Sequence, residues 1–409
     1  MRWDAVVVGG GPAGASMAIR LARRGLDTCV IDRARFPRAK PCGEFLSPGA
    51  TPILDELGVR ELVEAAGARR LARVRIVAHG AAIELDFPDG TGAPPWGFSL
   101  SRRRLDAILL AAARAAGARV VEGAVVEDVR IEPDRAVVGA RDQAGDPLRI
   151  EARVVIGAGG RNCPVARALG VQRRDRRGRF DLLAHWSGAG PPSTGTTSGS
   201  EAAICELRIR GDRYVAVAPV ESGRWNVNCV VPRAALRAEP DARALYRRVV
   251  GSDAPAAAGA PYEDVVASDV TPLDVTRATS DRALLVGDAA LFLDPFTGQG
   301  IYLALRSAAL AAEAVLGALA GGRTDRAALA GYDRARVREF AARRRVSRAL
   351  QGVLFRPVPA RALVGALGRD RRLALTLAAA TGDLVPSEQV WSASYAAGLV
   401  AASLRDRSR

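Results

Sequence analysis

Three glycines and an aspartate near the start of the chain have the spacing of a dinucleotide-binding turn. Gly9, Gly11 and Gly14 form a G-x-G-x-x-G pattern directly after the apolar run 5–8, and Asp32 ends the next strand-like segment. In such a turn the first glycine permits the tight bend, the second lets a pyrophosphate approach the backbone, and the third lets the helix pack on the strand. The phosphates then meet the positive end of the helix, and the aspartate accepts a hydrogen bond from a ribose hydroxyl. The pattern predicts a dinucleotide cofactor without distinguishing FAD from NAD.

A second glycine-rich segment, at residues 283–301, distinguishes the two cofactors by resemblance. An apolar strand pattern leads into a Gly-Asp pair that ends at Asp288, and a Pro-x-x-Gly-x-Gly loop follows at Pro295, Gly298 and Gly300. This segment resembles the second FAD motif of the glutathione-reductase-like flavoproteins. The resemblance implies that Asp288 binds the ribityl chain and that the loop lies under the flavin ring. Backbone N–H groups at the helix start there stabilise negative charge on the reduced ring.

The loop 37–48 carries the side chains that we expect to do chemistry. Lys40, the only lysine in the chain, precedes Cys42, Gly43 and Glu44. This Pro-x-x-Lys-x-Cys-Gly segment resembles that of the geranylgeranyl-reductase-like flavoproteins, which implies that it runs beside the isoalloxazine ring with the Cys facing the substrate cavity. A cation there lowers the energy of the anionic reduced ring. The catalytic candidates are Lys40, Cys42 and Glu44, with Cys42 and Glu44 as proton donors; purely structural roles for Lys40 and Cys42 stay open.

Other patterns extend the resemblance to this flavoprotein superfamily. The segment 157–167 resembles the middle motif of the para-hydroxybenzoate-hydroxylase-type branch, although Gly159 replaces the usual Asp. Arg102 begins an Arg-x-x-Leu-Asp-x-x-Leu pattern whose Arg reaches the FAD in the family, and 123–126 matches the Gly-x-x-Val beside the adenine. The residues that we expect to bind FAD are Gly9, Gly11, Pro12, Ala13, Gly14, Asp32, Arg33, Lys40, Cys42, Gly43, Arg102, Val126, Gly159, Gly287, Asp288, Pro295, Gly298, Gly300 and Ile301.

Hydrophobic patterning predicts a parallel sheet that positions the glycine motifs. Continuous apolar runs at 5–8, 154–158 and 283–286 are typical of buried parallel strands. Each of these runs ends at glycines. A single helix over 51–66 and a single strand over 119–129 are expected to complete this part of the fold.

A different pattern over residues 180–275 predicts a second sheet. Strand-like segments alternate there, and 214–219 with 225–228 resembles the paired strands that face the flavin in geranylgeranyl reductases. The expected fold class is α/β: a glutathione-reductase-like FAD-binding Rossmann domain, an inserted antiparallel β-sheet substrate domain and a helical C-terminal region. We assign 1–70, 100–175 and 276–320 to the first, 71–99 and 176–275 to the second, and 321–409 to the third.

The charge of the chain does not indicate a nucleic-acid partner. The net charge is +15 and the pI about 10.8. The excess is almost entirely arginine scattered over the chain, without the aromatic interleaving of single-strand binders. We therefore expect no nucleic acid as a partner.

Composition also indicates in which cellular compartment we expect the protein. Five widely spaced cysteines do not form a disulfide framework, and two histidines without a close cysteine pair argue against a metal site. The N-terminus lacks a signal-peptide layout, and no apolar run is expected to reach the roughly 18 residues of a membrane span. We expect a cytoplasmic protein, either monomer or homodimer. Residues 340–377 mix arginine with apolar residues, which favours a helical cap over the substrate and leaves peripheral membrane contact open.

The resemblance implies an FAD-dependent oxidoreductase acting on a hydrophobic small molecule. The favoured reaction is geranylgeranyl-reductase-like hydride transfer to or from a carbon–carbon bond, because of the Lys40 segment and because Leu291 stands where aromatic hydroxylases usually have His. The alternative is a monooxygenase of aromatic or polyketide substrates, and NAD(P)H is the candidate electron donor for either. A flavin-dependent halogenase is less favoured, because residues 185–188 lack the expected Ile-Pro and no second lysine is present. A flavin-binding sensor or electron carrier is equally disfavoured.

Overall fold

The computed structural model describes residues 2–90, 94–175, 178–187, 203–239, 241–253 and 264–404. Its strands, in chain order, are β1 (Arg2–Val8), β2 (Thr28–Asp32), β3 (Phe45–Leu46), β4 (Arg69–Ala78), β5 (Ala81–Asp86), β6 (Gly97–Ser99), β7 (Arg119–Glu122), β8 (Val125–Ile131), β9 (Ala136–Arg141), β10 (Pro147–Gly157), β11 (Gln172–Arg174), β12 (Arg179–Ser187), β13 (Ala203–Arg210), β14 (Arg213–Pro219), β15 (Arg224–Pro232), β16 (Val266–Asp269), β17 (Leu273–Val275), β18 (Thr279–Ser280), β19 (Ala283–Leu285) and β20 (Leu291–Phe292).

The α-helices of the same residues are α1 (Pro12–Ala22), α2 (Thr51–Glu56), α3 (Arg60–Ala65), α4 (Arg102–Ala115), α5 (Pro164–Leu169), α6 (Arg233–Ala238), α7 (Ala242–Asp253), α8 (Gly300–Ala320), α9 (Arg326–Leu354), α10 (Pro357–Arg369), α11 (Arg371–Thr381) and α12 (Ala393–Leu404).

The first sheet has the predicted parallel core. Its order is β18-β19-β10-β1-β2-β7, with β8 and β9 joined to it through β10. Strands β19, β10, β1, β2 and β7 run parallel, and Val8 pairs with Gly157, which pairs with Leu285. The three glycine-containing turns that follow these strands therefore lie along one edge of the sheet, where ligands of open α/β sheets bind.

Two elements of this half differ from the sequence prediction. The helix expected over 51–66 is divided into α2 and α3 at Gly58, whose φ is +66°. The strand expected over 119–129 is divided into β7 and β8 at Gly123, whose φ is +74°. These left-handed residues stop the regular hydrogen-bond pattern, and glycine adopts that conformation without steric penalty.

The second sheet is built from three separate stretches of chain. Its order is β16-β12-β15-β14-β13-β4-β6-β3, with β5 on β4. Its pairs are antiparallel, as expected, apart from β13 and β4, which run parallel. One face packs under α7, through side chains that include Val227, Tyr246 and Val249. The other face is therefore the one turned toward the parallel sheet and the C-terminal helices. A third, small sheet joins β11, β17 and β20.

The C-terminal region is helical, as expected, and packs on the second sheet. Helices α10, α11 and α12 form an apolar cluster with β5, which includes Leu85, Leu367 and Tyr395. Asp325 and Asp370 cap α9 and α11 by accepting hydrogen bonds from backbone N–H groups.

Helix α8 corrects one expectation. Among the described residues, α8 is long and apolar enough to cross a membrane, judged by length and composition alone. The expectation that no segment reaches this length is therefore wrong. It follows the glycine loop at 298–300, and its inward residues, such as Leu305, Ala308 and Ala312, lie in the main core. Core helices pass the same test of length and composition.

Candidate functional site

The glycine turn after β1 leaves no room for side chains. Gly9 has φ +111°, and a Cβ there would lie 2.5 Å from the carbonyl oxygen of Ala158. A Cβ on Gly14 would overlap the carbonyl oxygen of Gly9. The backbone N–H of Gly10 donates to Asp32 Oδ2 at 2.7 Å. This geometry presents backbone rather than side chains to a ligand at the start of α1.

Two guanidinium groups converge on the same turn. The Cβ position of Gly11 lies 3.5 Å from Arg38 Nη2 and 3.9 Å from Arg102 Nη2. Asp106 holds both side chains, with two bonds of 2.8 Å from Arg102 and a 3.0 Å contact from Arg38. Burial disfavours the charge of Arg102, but Asp106 outweighs it and raises the Arg102 pKa. Two cations against one carboxylate leave positive charge at the helix start, which fits the pyrophosphate of FAD.

The second glycine segment lies directly against the first. A Cβ on Gly287 would lie 2.8 Å from Cβ of Ala13, so this turn packs on the start of α1. The N–H of Gly287 donates to Ser307 Oγ at 2.9 Å. Asp288 follows at the edge of the same space. The structure thus brings together two motifs that lie at 9–14 and 283–301 in the chain.

Lys40 lies between these motifs. Its Nζ is 3.5 Å from the Cβ position of Gly160, in the turn that follows β10. Burial, and next the charge of Arg102, lower the pKa of Lys40, while Asp288 opposes the shift. An anionic group of a bound cofactor would stabilise the ammonium, so the residues present fit FAD at this point as well.

The loop before α8 is fixed from three sides. Asp294 accepts from the N–H of Phe296 at 3.1 Å and from the hydroxyl of Tyr214 at 3.0 Å. A Cβ on Gly298, which has φ +69°, would lie 2.6 Å from the ring of Phe45. Apart from the adjoining residues and the backbone of α8 itself, no described atom lies within 4 Å of the Cβ position of Gly300. The start of α8 therefore presents an open backbone surface.

Both carboxylate oxygens of Glu44 contact polar groups of other elements. It is buried, at 3% exposure, and has φ +56°. Its Oε1 accepts from the backbone N–H of Arg102 at 2.8 Å. Its Oε2 lies 2.8 Å from His185 Nε2 and 3.0 Å from Asn226 Nδ2. Glu44 thus accepts hydrogen bonds from Arg102 and Asn226, and its candidate role as a proton donor stays a prediction.

Cys42 lies next to this cluster. Its backbone oxygen accepts from Asn226 Nδ2 at 2.8 Å, and its Sγ accepts from the N–H of Glu44 at 3.4 Å. Burial raises the pKa of the thiol, and the charge of Arg102 only partly opposes this. Cys42 is therefore a neutral thiol at neutral pH.

Other predicted cofactor residues occupy more peripheral positions. The N–H of Ala124 donates to the carbonyl oxygen of Asp32 at 3.0 Å, which brings the 123–126 segment and half-buried Val126 close to the end of β2. Arg33 is exposed and lies outside the contacts described above. Gly159 packs against Cys163, and Ile301 is buried in the first turn of α8.

Sequence reasoning missed His185 as a site residue. It considered this residue only as part of a halogenase-like segment, whose Gly188 lies outside the described residues. His185 pairs with Asn226 across β12 and β15, and the next polar residue on that face of β15 is Asn228. The Asn-x-Asn alternation in an otherwise apolar strand was the available signal.

Two buried side-chain oxygens on this face have no described hydrogen-bond partner. These atoms are Oδ1 of Asn228 and Oδ1 of Asp181. Burial raises the pKa of Asp181 to about 7, although Arg161 opposes the shift. Buried polar atoms normally have partners, so these two oxygens indicate where a polar ligand or water binds.

An apolar cavity lies beside the loop that precedes α8. Its wall combines that loop, the second sheet and the C-terminal helices, and Thr297 and Thr381 are its polar lining side chains among the described residues. Its lining includes Phe296, Leu207, Ile76, Leu350, Leu363 and Leu377. The wall of this cavity is therefore almost entirely apolar.

Comparison with known proteins agrees with this geometry. Residues 2–347 match the family described as FAD binding domain. A menaquinone reductase of Mycobacterium tuberculosis is 31% identical over 316 residues, 76% of each chain. A geranylgeranyl diphosphate reductase of Rhodobacter capsulatus is 30% identical over 337 residues, 79% of this chain and 77% of that protein. The solved structure of the flavin-dependent halogenase CmlS is 25% identical, with a TM-score of 0.79 over 96% of this chain and 77% of that chain.

Proposed function

The chain belongs to the FAD-binding domain family, and we propose that it transfers hydride to or from a carbon–carbon bond of a hydrophobic, isoprenoid-type molecule. It is an FAD-dependent enzyme. The relatives named as reductases of menaquinone and of geranylgeranyl diphosphate support this reaction class.

The apolar cavity is the observation that carries the proposal. Phe296 and Thr297 belong both to its wall and to the 295–300 loop, which the FAD resemblance places under the flavin ring. A molecule in the cavity would therefore lie beside the ring. Leu363 and Leu377 line the cavity from the C-terminal helices, so a substrate there would contact apolar side chains. An apolar wall of this kind favours a hydrocarbon chain over a charged or strongly polar substrate.

The chain's own residues hold and shield the reacting partners. Bound FAD supplies a pair of electrons with a hydrogen, as hydride. Arg38 and Arg102 would balance the charge of the pyrophosphate, and a bound anionic group would favour the ammonium form of Lys40, which Asp288 also supports. Cys42, next to Glu44, adds no charge there because burial raises the pKa of its thiol.

Anaerobic turnover tests the reaction class. The purified enzyme is reduced with dithionite under nitrogen and mixed with geranylgeranyl diphosphate or with a menaquinone. We expect oxidation of the flavin, monitored through its absorbance, and a product in which two hydrogens have been added to carbon atoms of the isoprenoid chain rather than to the quinone oxygens. Products that form only in air and that gain an oxygen or a halogen atom would contradict the proposal.

The likeness to CmlS supports halogenation as the second candidate. The chain has a single lysine, Lys40, whereas the halogenases that the sequence resembles carry a separate catalytic lysine in mid-chain. Incubation with reduced flavin, air, bromide and an electron-rich phenol distinguishes this candidate, because only a halogenase yields a brominated product.

We also propose NAD(P)H as the electron donor and a cytoplasmic location. Bleaching of the flavin by NADPH or NADH under nitrogen tests the donor.

The lining of the cavity by α9, α10 and α11 supports the role of residues 340–377 as a cap. Contact with an anionic membrane is the alternative role, and failure to pellet with phosphatidylglycerol vesicles at low salt would exclude it.

A further inference from the structure

We propose that Asn228 and Asp181 bind a hydroxyl group of the substrate, which makes the substrate an isoprenoid alcohol or phenol rather than a prenyl diphosphate. The inference rests on the proposed function and adds to it the chemistry of the head group. It follows from two buried side chains whose oxygens lack partners, and from their position on the sheet that forms part of the cavity wall.

Both side chains are buried with an unused hydrogen-bond acceptor. Asn228 and Asp181 are each 3% exposed, and no described residue donates a hydrogen bond to Oδ1 of either side chain. Removing an amide or a carboxyl group from water without a partner is unfavourable, so buried groups of this kind normally have one. Asn226, two residues earlier on β15, shows the normal case, because its amide donates to Cys42 and Glu44. The two oxygens are therefore available to a hydrogen-bond donor of a ligand.

Asn228 and Asp181 lie on the face of the second sheet that is turned toward the parallel sheet. Their chain neighbours Leu182 and Cys229 point to the opposite face, into the cluster under α7. Asp181 pairs with Val230, and Asn228 precedes Val230 by two residues, so the two polar side chains are diagonal neighbours. Diagonal neighbours have Cα atoms roughly 7–8 Å apart, so both oxygens can face one ligand group.

One row of the sheet leads from Asn228 to the apolar cavity. Asn228 pairs with Ala216 of β14, and Ala216 pairs with Leu207 of β13. Leu207 in turn pairs with Ile76 of β4, and both of these residues line the cavity, whereas Asn228 and Asp181 lie outside its lining. Ala216 is small and only half-buried, although its strand lies in the middle of the sheet. The surface between the cavity and Asn228 is therefore open.

The distances suit a molecule with an apolar chain and a polar head. Neighbouring strands are roughly 4.8 Å apart, so Asn228 is about 10 Å from Leu207 along this row. Asn228 also lies against the loop 37–48, since its Nδ2 is 3.3 Å from the Cβ position of Gly43. The flavoprotein resemblance places this loop along the isoalloxazine ring. A chain in the cavity and a head group at Asn228 therefore bring the molecule past the ring.

The charges near Asp181 favour a neutral head group. Arg161 is the cation whose charge acts on Asp181. This guanidinium already donates to Ser268 at 2.8 Å, and the carboxylates of Asp288 and Asp269 also act on its charge. A diphosphate has only acceptors and several negative charges, so it would repel these carboxylates and donate to neither Oδ1. A hydroxyl group both donates and accepts, which matches a carboxyl group beside an amide.

Binding of three matched ligands to the oxidised holoenzyme tests the head group without turnover. Geranylgeraniol, its methyl ether and geranylgeranyl diphosphate share one chain, and the ether keeps the oxygen but lacks its hydrogen. Titration followed by flavin fluorescence measures each dissociation constant. We expect the alcohol to bind about tenfold more tightly than the other two, because only the alcohol donates to the two oxygens. Tighter binding of the diphosphate, or equal binding of alcohol and ether, would overturn the inference.

Two substitutions identify the residues. N228L and D181L replace each polar group by an apolar side chain of similar size. We expect each variant to bind the alcohol about tenfold more weakly than wild type does and to bind alcohol and ether equally. L363W is the control, since it narrows the cavity and should weaken the binding of alcohol and ether alike. Wild-type affinity for the alcohol in N228L or in D181L would show that water alone occupies these oxygens and would overturn the inference.

FAD content and urea unfolding accompany the titrations. Both variants should retain FAD and unfold at a urea concentration equal to or above that of wild type, because each removes a buried polar group that lacks a partner in the free enzyme. Loss of FAD from N228L would assign Asn228 to the cofactor and overturn the inference, and the wild-type ligand series decides the question even where a variant does not fold. An enzyme that prefers the alcohol but, once reduced, adds hydrogen to no isoprenoid would instead refute the proposed function.

Discussion

The two large sheets contribute to the site in different ways. The edge of the parallel sheet contributes backbone: glycine turns after β1, β10 and β19 that are too crowded for side chains at Gly9 and Gly14. The second sheet contributes side chains that stand out from a regular surface, among them His185 and Asn226. The backbone part accepts the constant phosphate and ribose groups of a cofactor, whereas the side-chain part can vary with the substrate.

The loop 37–48 connects these two kinds of surface. Lys40 lies at the Gly160 turn of the first sheet, and Glu44 bonds to His185 on the second. Substitutions in the first sheet should therefore act on cofactor binding. Substitutions in the second should act on substrate binding and leave the cofactor in place.

Gly14→Val should have the largest effect. Its side chain would collide with the carbonyl oxygen of Gly9, so the turn cannot close and FAD is lost. The measurement is FAD released per protein after purification. Gly331→Ala in α9 is the control, since the described residues place no atom within 4 Å of that Cβ position apart from the adjoining residues and the backbone of the same helix. A Gly14→Val protein with a full complement of FAD would contradict the account of a backbone-built site.

Asp383→Ala should have the next largest effect. It removes the hydrogen bonds that connect the C-terminal region with the loops 37–48 and 295–300. Asp383 accepts from Arg343, Ser47 and Gln299, at 2.9, 2.7 and 2.6 Å. Leaving a buried arginine without this partner costs about 3 kcal/mol of unfolding free energy. Urea unfolding measures it, with Asp383→Asn as the milder variant because the amide still accepts. Equal free energies of unfolding for Asp383→Ala and wild type would show that these hydrogen bonds do not stabilise the fold.

Asp181→Asn should have a smaller, pH-dependent effect on the second sheet. Burial raises the pKa of Asp181 from 3.8 to about 7. A group whose folded pKa is raised contributes stability that is complete below its unfolded pKa and is lost as pH rises to the folded pKa. Asp181 should therefore cost about 2–3 kcal/mol between about pH 5 and about pH 8. Urea unfolding at both pH values should show a smaller decrease for Asp181→Asn, and an identical decrease would contradict the buried, protonated state.

The comparison also explains what the sequence could predict. The FAD-binding motifs could be predicted from the sequence. Glycine is required where a turn, a close approach or a positive φ leaves no alternative, as at Gly9 and Gly14. The parallel strands were readable from their continuous apolar runs. The divisions of 51–66 and 119–129 were missed, because a single glycine inside a regular pattern does not reveal its φ.

The substrate half was less readable, because its site depends on contacts between distant residues. Glu44 and His185 are 141 positions apart, and neither residue type by itself indicates the other. The sequence therefore named Glu44 as a candidate residue without indicating its contacts with His185 and Asn226. The cavity likewise is lined by side chains from three regions of the chain. No local pattern in the sequence predicts that these side chains lie next to one another.

The central claim is that the apolar cavity holds the substrate beside the flavin. It is tested most directly by anaerobic oxidation of the reduced enzyme with geranylgeranyl diphosphate or a menaquinone in wild type, Leu363→Trp and Ala362→Trp. Leu363 lines the cavity, and Ala362 is exposed on the same helix. We predict equal FAD content in all three proteins, rapid oxidation in wild type and Ala362→Trp, and at least tenfold slower oxidation in Leu363→Trp. Equal oxidation rates in Leu363→Trp and wild type would contradict the claim.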